Sequence, residues 1–235
     1  VKDNRFIVVI SGIILGCVQA SIIIAMLVIP NLSFNSSAIN SFFNNKLISN
    51  EHKGNFVSTF FKNNQINKNG ELKQITVYNG VTVDEGVKSN KEINKKAVEL
   101  TQKAKSDREK AKILYTWVAN NVMYDNQKAK EVLEIKDIDK MPKSGAIPAF
   151  KSRTGICFDK ACLYVAMCRA TNLKVRLIGG QAFDGQNYVG HAWNQVYLPN
   201  EEKWINVDTT FGQEGDYFDS NLFDKHKQEE LAGEW

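Results

Sequence analysis

Four cysteines among 235 residues are too few, and wrongly arranged, for a disulfide or zinc scaffold. Cys157, Cys162 and Cys168 fall on one expected helix at spacings of five and six. Residues at those offsets do not face each other, so pairing among them is not expected. Nor do they make the two short ligand pairs of a structural zinc site. Strong charge is missing too: the net value is +4, with lysines spread along amphipathic helices among acids. Without a basic patch interleaved with aromatics, nucleic-acid binding is disfavoured. Histidine is scarce. Of three, His52 and His226 lack context and read as surface residues, and only His191 stands in a patterned setting. No metal or other cofactor is expected.

One long apolar run is present, at residues 6–29, with Ser11, Gln19 and Ser21 as its clearly polar members. Its length fits the ~20 residues needed to cross a bilayer. Lys2 and Arg5 precede it, which predicts a cytoplasmic N-terminus and a domain on the outer side of the membrane. A secretory signal core is shorter, ~7–15 residues, and no small-residue cleavage site follows the run, so an uncleaved anchor is expected. Leu15-Gly16-Cys17 suggests a lipid-modified cysteine, but the chain stays apolar past Cys17. The expected organisation is an anchor at 1–30, a polar stalk at 31–72 with one or two short helices, and a single domain at 73–235.

Within that domain, β-branched residues alternate around Asn79-Gly80 over 72–83, the signature of a hairpin. Ile93, Ala97, Leu100 and Ala104 predict one helix. Ser106 and Glu109 cap the next, with Ala111, Leu114, Trp117, Val118 and Val122 on its apolar face. Residues 128–150 read as a charged helical piece followed by a loop through Pro142 and Pro148. Strands are expected at 175–183, kinked at Gly179-Gly180, at 191–198 and at 203–209, forming an antiparallel meander. With the second turn centred on 199–202, His191 and Asp208 project from one face as near-diagonal neighbours; a one-residue slip would separate them. The acidic, aromatic tail at 213–235 has no readable role beyond covering an edge.

The stretch 153–163 organises the rest. A polar turn containing Gly155 runs into Cys157, and from Ala161 to Ala170 the chain is almost entirely apolar, as in a buried helix. Cys157 therefore stands at the helix mouth, where unpaired N–H groups and the helix dipole favour negative charge on its sulfur. Gly155 allows a sharp turn and leaves the approach to the sulfur open. Downstream, His191 opens one strand and Asp208 closes the next, giving a nucleophile, a base and an orienting carboxylate in order. Cys162 and Cys168 read as small buried hydrophobes. Trp193 either shields the site or packs in the sheet, and Tyr124 is placed near the cleft.

Gly155-Ile156-Cys157, His191-Ala192-Trp193 and Val207-Asp208-Thr209-Thr210 resemble the three signature blocks of the transglutaminase-like superfamily, over about residues 107–212. The resemblance implies a papain-like α+β domain, its nucleophile helix packed on an antiparallel sheet, with Cys157, His191 and Asp208 as the triad. It implies acyl transfer through a thioester, and together with the expected anchor this predicts a protein or peptide substrate at the cell surface. Water resolving the thioester makes a hydrolase and an amine makes a transglutaminase; the triad is common to both. The Cys157 backbone N–H is one expected oxyanion donor, and a second is not identifiable. The alternative is a module on the same fold that binds peptide or cell-wall material without turnover.

Overall fold

A computed structural model describes residues 61–66, 72–135, 137 and 140–235. The apolar run at 6–29 and most of the expected stalk lie outside the described residues. Among the described residues, no helix is long and apolar enough to cross a membrane.

The first strands are β1 (Phe61–Ile66), β2 (Leu72–Tyr78) and β3 (Val81–Thr82), in an antiparallel sheet of that order. Strand β1 falls inside the stretch expected to be a stalk with short helices. The β2–β3 hairpin forms as its sequence predicts: Asn79 and Gly80 both have positive φ, 49° and 80°, the pairing that matches strand twist in a two-residue turn. Tyr78 ties the hairpin to the domain, its ring stacked on Phe158 at 5.1 Å.

Six α-helices follow among the described residues: α1 (Val83–Gly86), α2 (Lys91–Thr101), α3 (Asp107–Asn121), α4 (Asn126–Glu134), α5 (Ala146–Ser152) and α6 (Cys157–Ala170). Asn90, Ser106 and Asp125 cap α2, α3 and α4, each side chain accepting an N–H three residues on. Glu109 reaches back to the Lys105 N–H at 2.7 Å, closing the α3 cap one residue earlier than a standard box. Helix α5 replaces part of the expected loop. Pro148 is its third residue, where a missing N–H costs nothing because first-turn donors have no intrahelical partner. Between α3 and α4 a two-residue strand β4 (Met123–Tyr124) pairs in parallel with β5 (Thr154–Gly155).

Helix α6 is the centre of the core. Every residue from Cys157 to Cys168 is buried, as an all-round apolar helix requires. Helices α2, α3 and α5 pack around it on one side. On the other lies a four-stranded antiparallel sheet in the order β8 (Lys203–Val207), β7 (Tyr188–Leu198), β6 (Val175–Phe183), β9 (His226–Glu234). Ala192, Val196 and Leu198 of β7 join the α6 core, and Asn194 donates to the Ala161 carbonyl at 3.2 Å. The β7–β8 register pairs Asn194 with Val207 and Val196 with Ile205. Extended by one residue, it sets Asp208 diagonal to His191, as the turn position predicts.

Candidate active site

The nucleophile turn is built from three constraints. Arg153 takes the left-handed conformation, φ 61°, and its guanidinium lies over Trp117 at 4.7 Å and Phe150 at 4.5 Å. The β4–β5 pairing then straightens Thr154 and Gly155. Asp159, 1 % exposed, closes the turn. Its Oδ2 accepts the Ile156 N–H at 2.9 Å and the Lys128 ammonium at 2.6 Å, and its Oδ1 accepts the Gly145 N–H at 2.6 Å. Gly155 matters for space: a Cβ there would sit 2.7 Å from the Asp159 Cβ. The sharp backbone turn expected at Gly155 is made by Arg153 instead. Cys157 follows as the first residue of α6, so its N–H points out of the helix without an intrahelical acceptor.

His191 and Asp208 meet it from the sheet. The His191 ring interacts with the Cys157 thiol, and its Nε2 is 2.7 Å from Asp208 Oδ2. An ionised carboxylate only accepts, so Nε2 carries the hydrogen and donates it to Asp208. The Nδ1 is thereby the nitrogen left for Cys157. Asp208 is fully buried; its Oδ1 accepts the Thr210 N–H at 2.7 Å, and its own N–H donates to the Tyr217 carbonyl at 2.9 Å. Burial alone would push the carboxyl up, but His191 and then His226 outweigh it and hold Asp208 well below the usual carboxylate range. Burial would push His191 down; the Asp208 charge, its hydrogen bond and Cys157 overrule that and hold the imidazole up, at about 10. The three residues named from sequence are thus brought together.

Aromatic rings fix the imidazole. Phe211 stacks on His191 at 4.9 Å and Trp193 at 6.1 Å, both nearly parallel. Trp193 is buried in the sheet, so it packs and braces at once. Tyr124, paired with Gly155 across β4–β5, is partly exposed at the lip. Burial first, then the nearby Cys157, raises its hydroxyl. Lys160 lies one turn beyond Cys157; its Nζ donates to the Val122 carbonyl at 2.7 Å, and burial lowers it to about 8 against the pull of Asp208. Cys162 and Cys168 are fully buried, and burial raises both thiols.

His226 corrects the sequence reading. It is no surface residue: its Nε2 lies 3.0 Å from the same Asp208 Oδ2, and its side chain is 3 % exposed. The reason is β9, which pairs with β6 and sets His226 opposite Ala182. Local sequence offers only a single histidine ahead of a charged strand. Among the described residues, the donor atoms of His191, Asp208 and His226 lie within 4.8 Å of one another, a set that could hold a metal ion. Both Nε2 atoms are already engaged with the carboxylate.

The site thus joins a buried helix-start cysteine to an imidazole and a carboxylate carried by an antiparallel sheet. The model of the Transglutaminase-like superfamily matches residues 94–209, a stretch that carries most of the helices and most of the antiparallel sheet of this α+β domain. Mouse Kyphoscoliosis peptidase is 30 % identical over 128 residues, which is 51 % of this chain and 18 % of that protein. The human Kyphoscoliosis peptidase is 30 % identical over 122 residues, 48 % of this chain and 17 % of that protein. The aligned part therefore spans less than one fifth of either relative. The periplasmic domain of TgpA from Pseudomonas aeruginosa is similar at 19 % identity and a TM-score of 0.39, covering 61 % of this chain and 51 % of that one.

Proposed function

We propose that the chain is a thiol-dependent acyl-transfer enzyme that acts on protein or peptide amides. One observation carries this: the Cys157 thiol, at the start of α6, interacts with the buried imidazole of His191, whose other nitrogen is held at 2.7 Å by Asp208. The thiol proton passes to His191 Nδ1 as the Cys157 sulfur attacks the carbonyl carbon of the substrate. The oxyanion so formed accepts the Cys157 backbone N–H, aligned by the first turn of α6. Collapse breaks the carbon–nitrogen bond as His191 delivers its proton to the leaving amine, leaving a thioester on Cys157. Water or a second amine then attacks the thioester, with His191 as base. Asp208 holds the tautomer and balances the imidazolium charge throughout.

The same proposal extends to location. The apolar run at 6–29 with Lys2 and Arg5 ahead of it supports a membrane anchor with the domain on the outer face, where surface proteins and peptides are the available substrates. An open cavity of 590 Å³ lined by Asp125, Glu131, Lys143, Lys151 and Thr154 adjoins the nucleophile turn. Incubation with cell-surface extract and a labelled primary amine tests the reaction. New peptide ends or amine incorporation, either one lost in Cys157→Ala, is expected. Absence of both from the folded wild-type chain would leave the binding-module alternative in its place.

A further inference from the structure

We infer that His226 is a positioning residue of this site, donating its Nε2–H to Asp208 Oδ2 and so fixing the carboxylate against His191. The inference rests on the acyl-transfer reading above and adds a fourth member to Cys157, His191 and Asp208.

The fold goes out of its way to deliver this side chain. His226 opens β9, the last strand, and β9 joins the sheet on the far edge of β6 from the strand that bears His191. Register shifts interrupt the β6–β9 ladder at Leu177/Ile178 and at Gly179/Gly180. At Gly180 a Cβ would lie 2.1 Å from the Lys227 carbonyl oxygen and 3.1 Å from the Gln228 Cα. Only a residue without a side chain lets β9 approach there, and that approach carries His226 inward beside Asp208. Gly180 is also the β6 partner of His191, so one glycine seats both imidazoles.

The pocket around His226 is aromatic. Phe223 lies at 4.6 Å, Trp193 at 5.2 Å, His191 at 5.6 Å edge-on, Tyr217 at 5.9 Å and Phe211 at 6.0 Å. The ring nitrogen away from Asp208, Nδ1, is buried with no hydrogen-bond partner. A residue chosen for packing alone would be apolar, since an unpaired buried polar atom is unfavourable. What the imidazole provides that phenylalanine cannot is one N–H aimed at the oxygen that holds the catalytic imidazole. Asp208 Oδ2 has two lone pairs, and His191 and His226 fill both. With Thr210 N–H on Oδ1, the carboxylate cannot rotate away from His191 during the cycle.

Hydrolysis of p-nitrophenyl acetate by the whole chain, followed to saturation, tests this. His226→Phe keeps the aromatic volume and removes the donor. It should lower kcat by about 10- to 100-fold, the size of one hydrogen bond to a charged group, with KM unchanged. His226→Gln can present a side-chain N–H to the same oxygen and should recover kcat to within about threefold of wild type. The low-field proton resonance of the His191–Asp208 hydrogen bond should shift in the Phe variant and return with Gln. If the Phe variant does not fold, His226→Met replaces it as the donor-free probe. Wild-type kcat in a folded donor-free variant overturns the inference, as does a folded Gln variant no better than Phe. A wild-type chain without Cys157-dependent turnover instead overturns the underlying acyl-transfer reading.

Discussion

Asp159→Ala should come close to unfolding the domain, although Asp159, buried at 1 % exposure, lies outside the Cys157–His191–Asp208 set. Its carboxylate is the shared anchor of three segments: Lys128 on α4, Gly145 at the start of α5, and Ile156 at the start of α6. Removing it leaves the Lys128 ammonium, 10 % exposed, without its counter-ion; stranding one partner of a buried pair costs about 3–5 kcal/mol. Two backbone N–H groups lose their acceptor as well, at about 1–3 kcal/mol each if water does not reach them. The sum, on the order of 5–10 kcal/mol, is comparable with the whole stability of a domain this size. Lys128 keeps one bond, to the Lys143 carbonyl at 2.7 Å, which holds the loss toward the lower end. Asp159→Asn should fall between wild type and Ala, and Lys128→Met added to Asp159→Asn should regain part of the loss by removing the stranded charge. Urea titration followed by tryptophan fluorescence gives the midpoints. A midpoint for Asp159→Ala within about 1 kcal/mol of wild type, at unchanged slope, would refute the claim that this carboxylate holds the nucleophile turn.

Three further outcomes are expected. His191 is held up at about 10 from an ordinary 6.5, so its contribution to stability is complete below about pH 6.5 and is lost as pH rises through about 10. The leaving-group proton goes with it, and kcat should fall through the same range; a pH–rate profile with its alkaline limb near 7 contradicts this. Gly180→Val should detach β9, because the new Cβ meets the Lys227 carbonyl at 2.1 Å. Faster hydrogen exchange across residues 226–234 and a loss of about 2–4 kcal/mol would show it. Cys162→Ala and Cys168→Ala, both fully buried, should each cost about 1 kcal/mol and leave turnover intact. In the native chain iodoacetamide should label neither, which peptide mass mapping checks.

That Cys157, His191 and Asp208 meet was legible because their placement is set by local patterns. Alternation along 191–198 and 203–209 defines strand faces, although β7 begins three residues earlier, at Tyr188, and β8 ends at Val207; the turn at 199–202 sets the register, and the apolar run after Cys157 makes a helix whose first residue is the cysteine. The partners that hold the site were not legible, since each depends on contacts between distant segments. Asp159 reads as a helix-start acid, but Lys128 and Gly145 come to it from 31 and 14 residues away. Helix α5 reads as loop in the sequence because Pro148 looks like a breaker, and only its place in a first turn makes it compatible. Two-residue strands such as β4 and β5 carry no period to read. Strand β9, His226–Glu234, is mostly exposed and charged, so neither alternation nor apolar content marks it as the carrier of a buried histidine.

The central claim is that Cys157 forms an acyl thioester with His191 as its base. Intact-protein and peptide mass spectrometry after mixing with p-nitrophenyl acetate reads this bond directly. One acetyl group per chain is expected on Cys157, released by hydroxylamine, and lost when His191→Ala removes the base. Acetyl found on Cys162, on Lys160 or on no residue of the folded chain, or acylation of Cys157 at an undiminished rate in His191→Ala, would contradict the account.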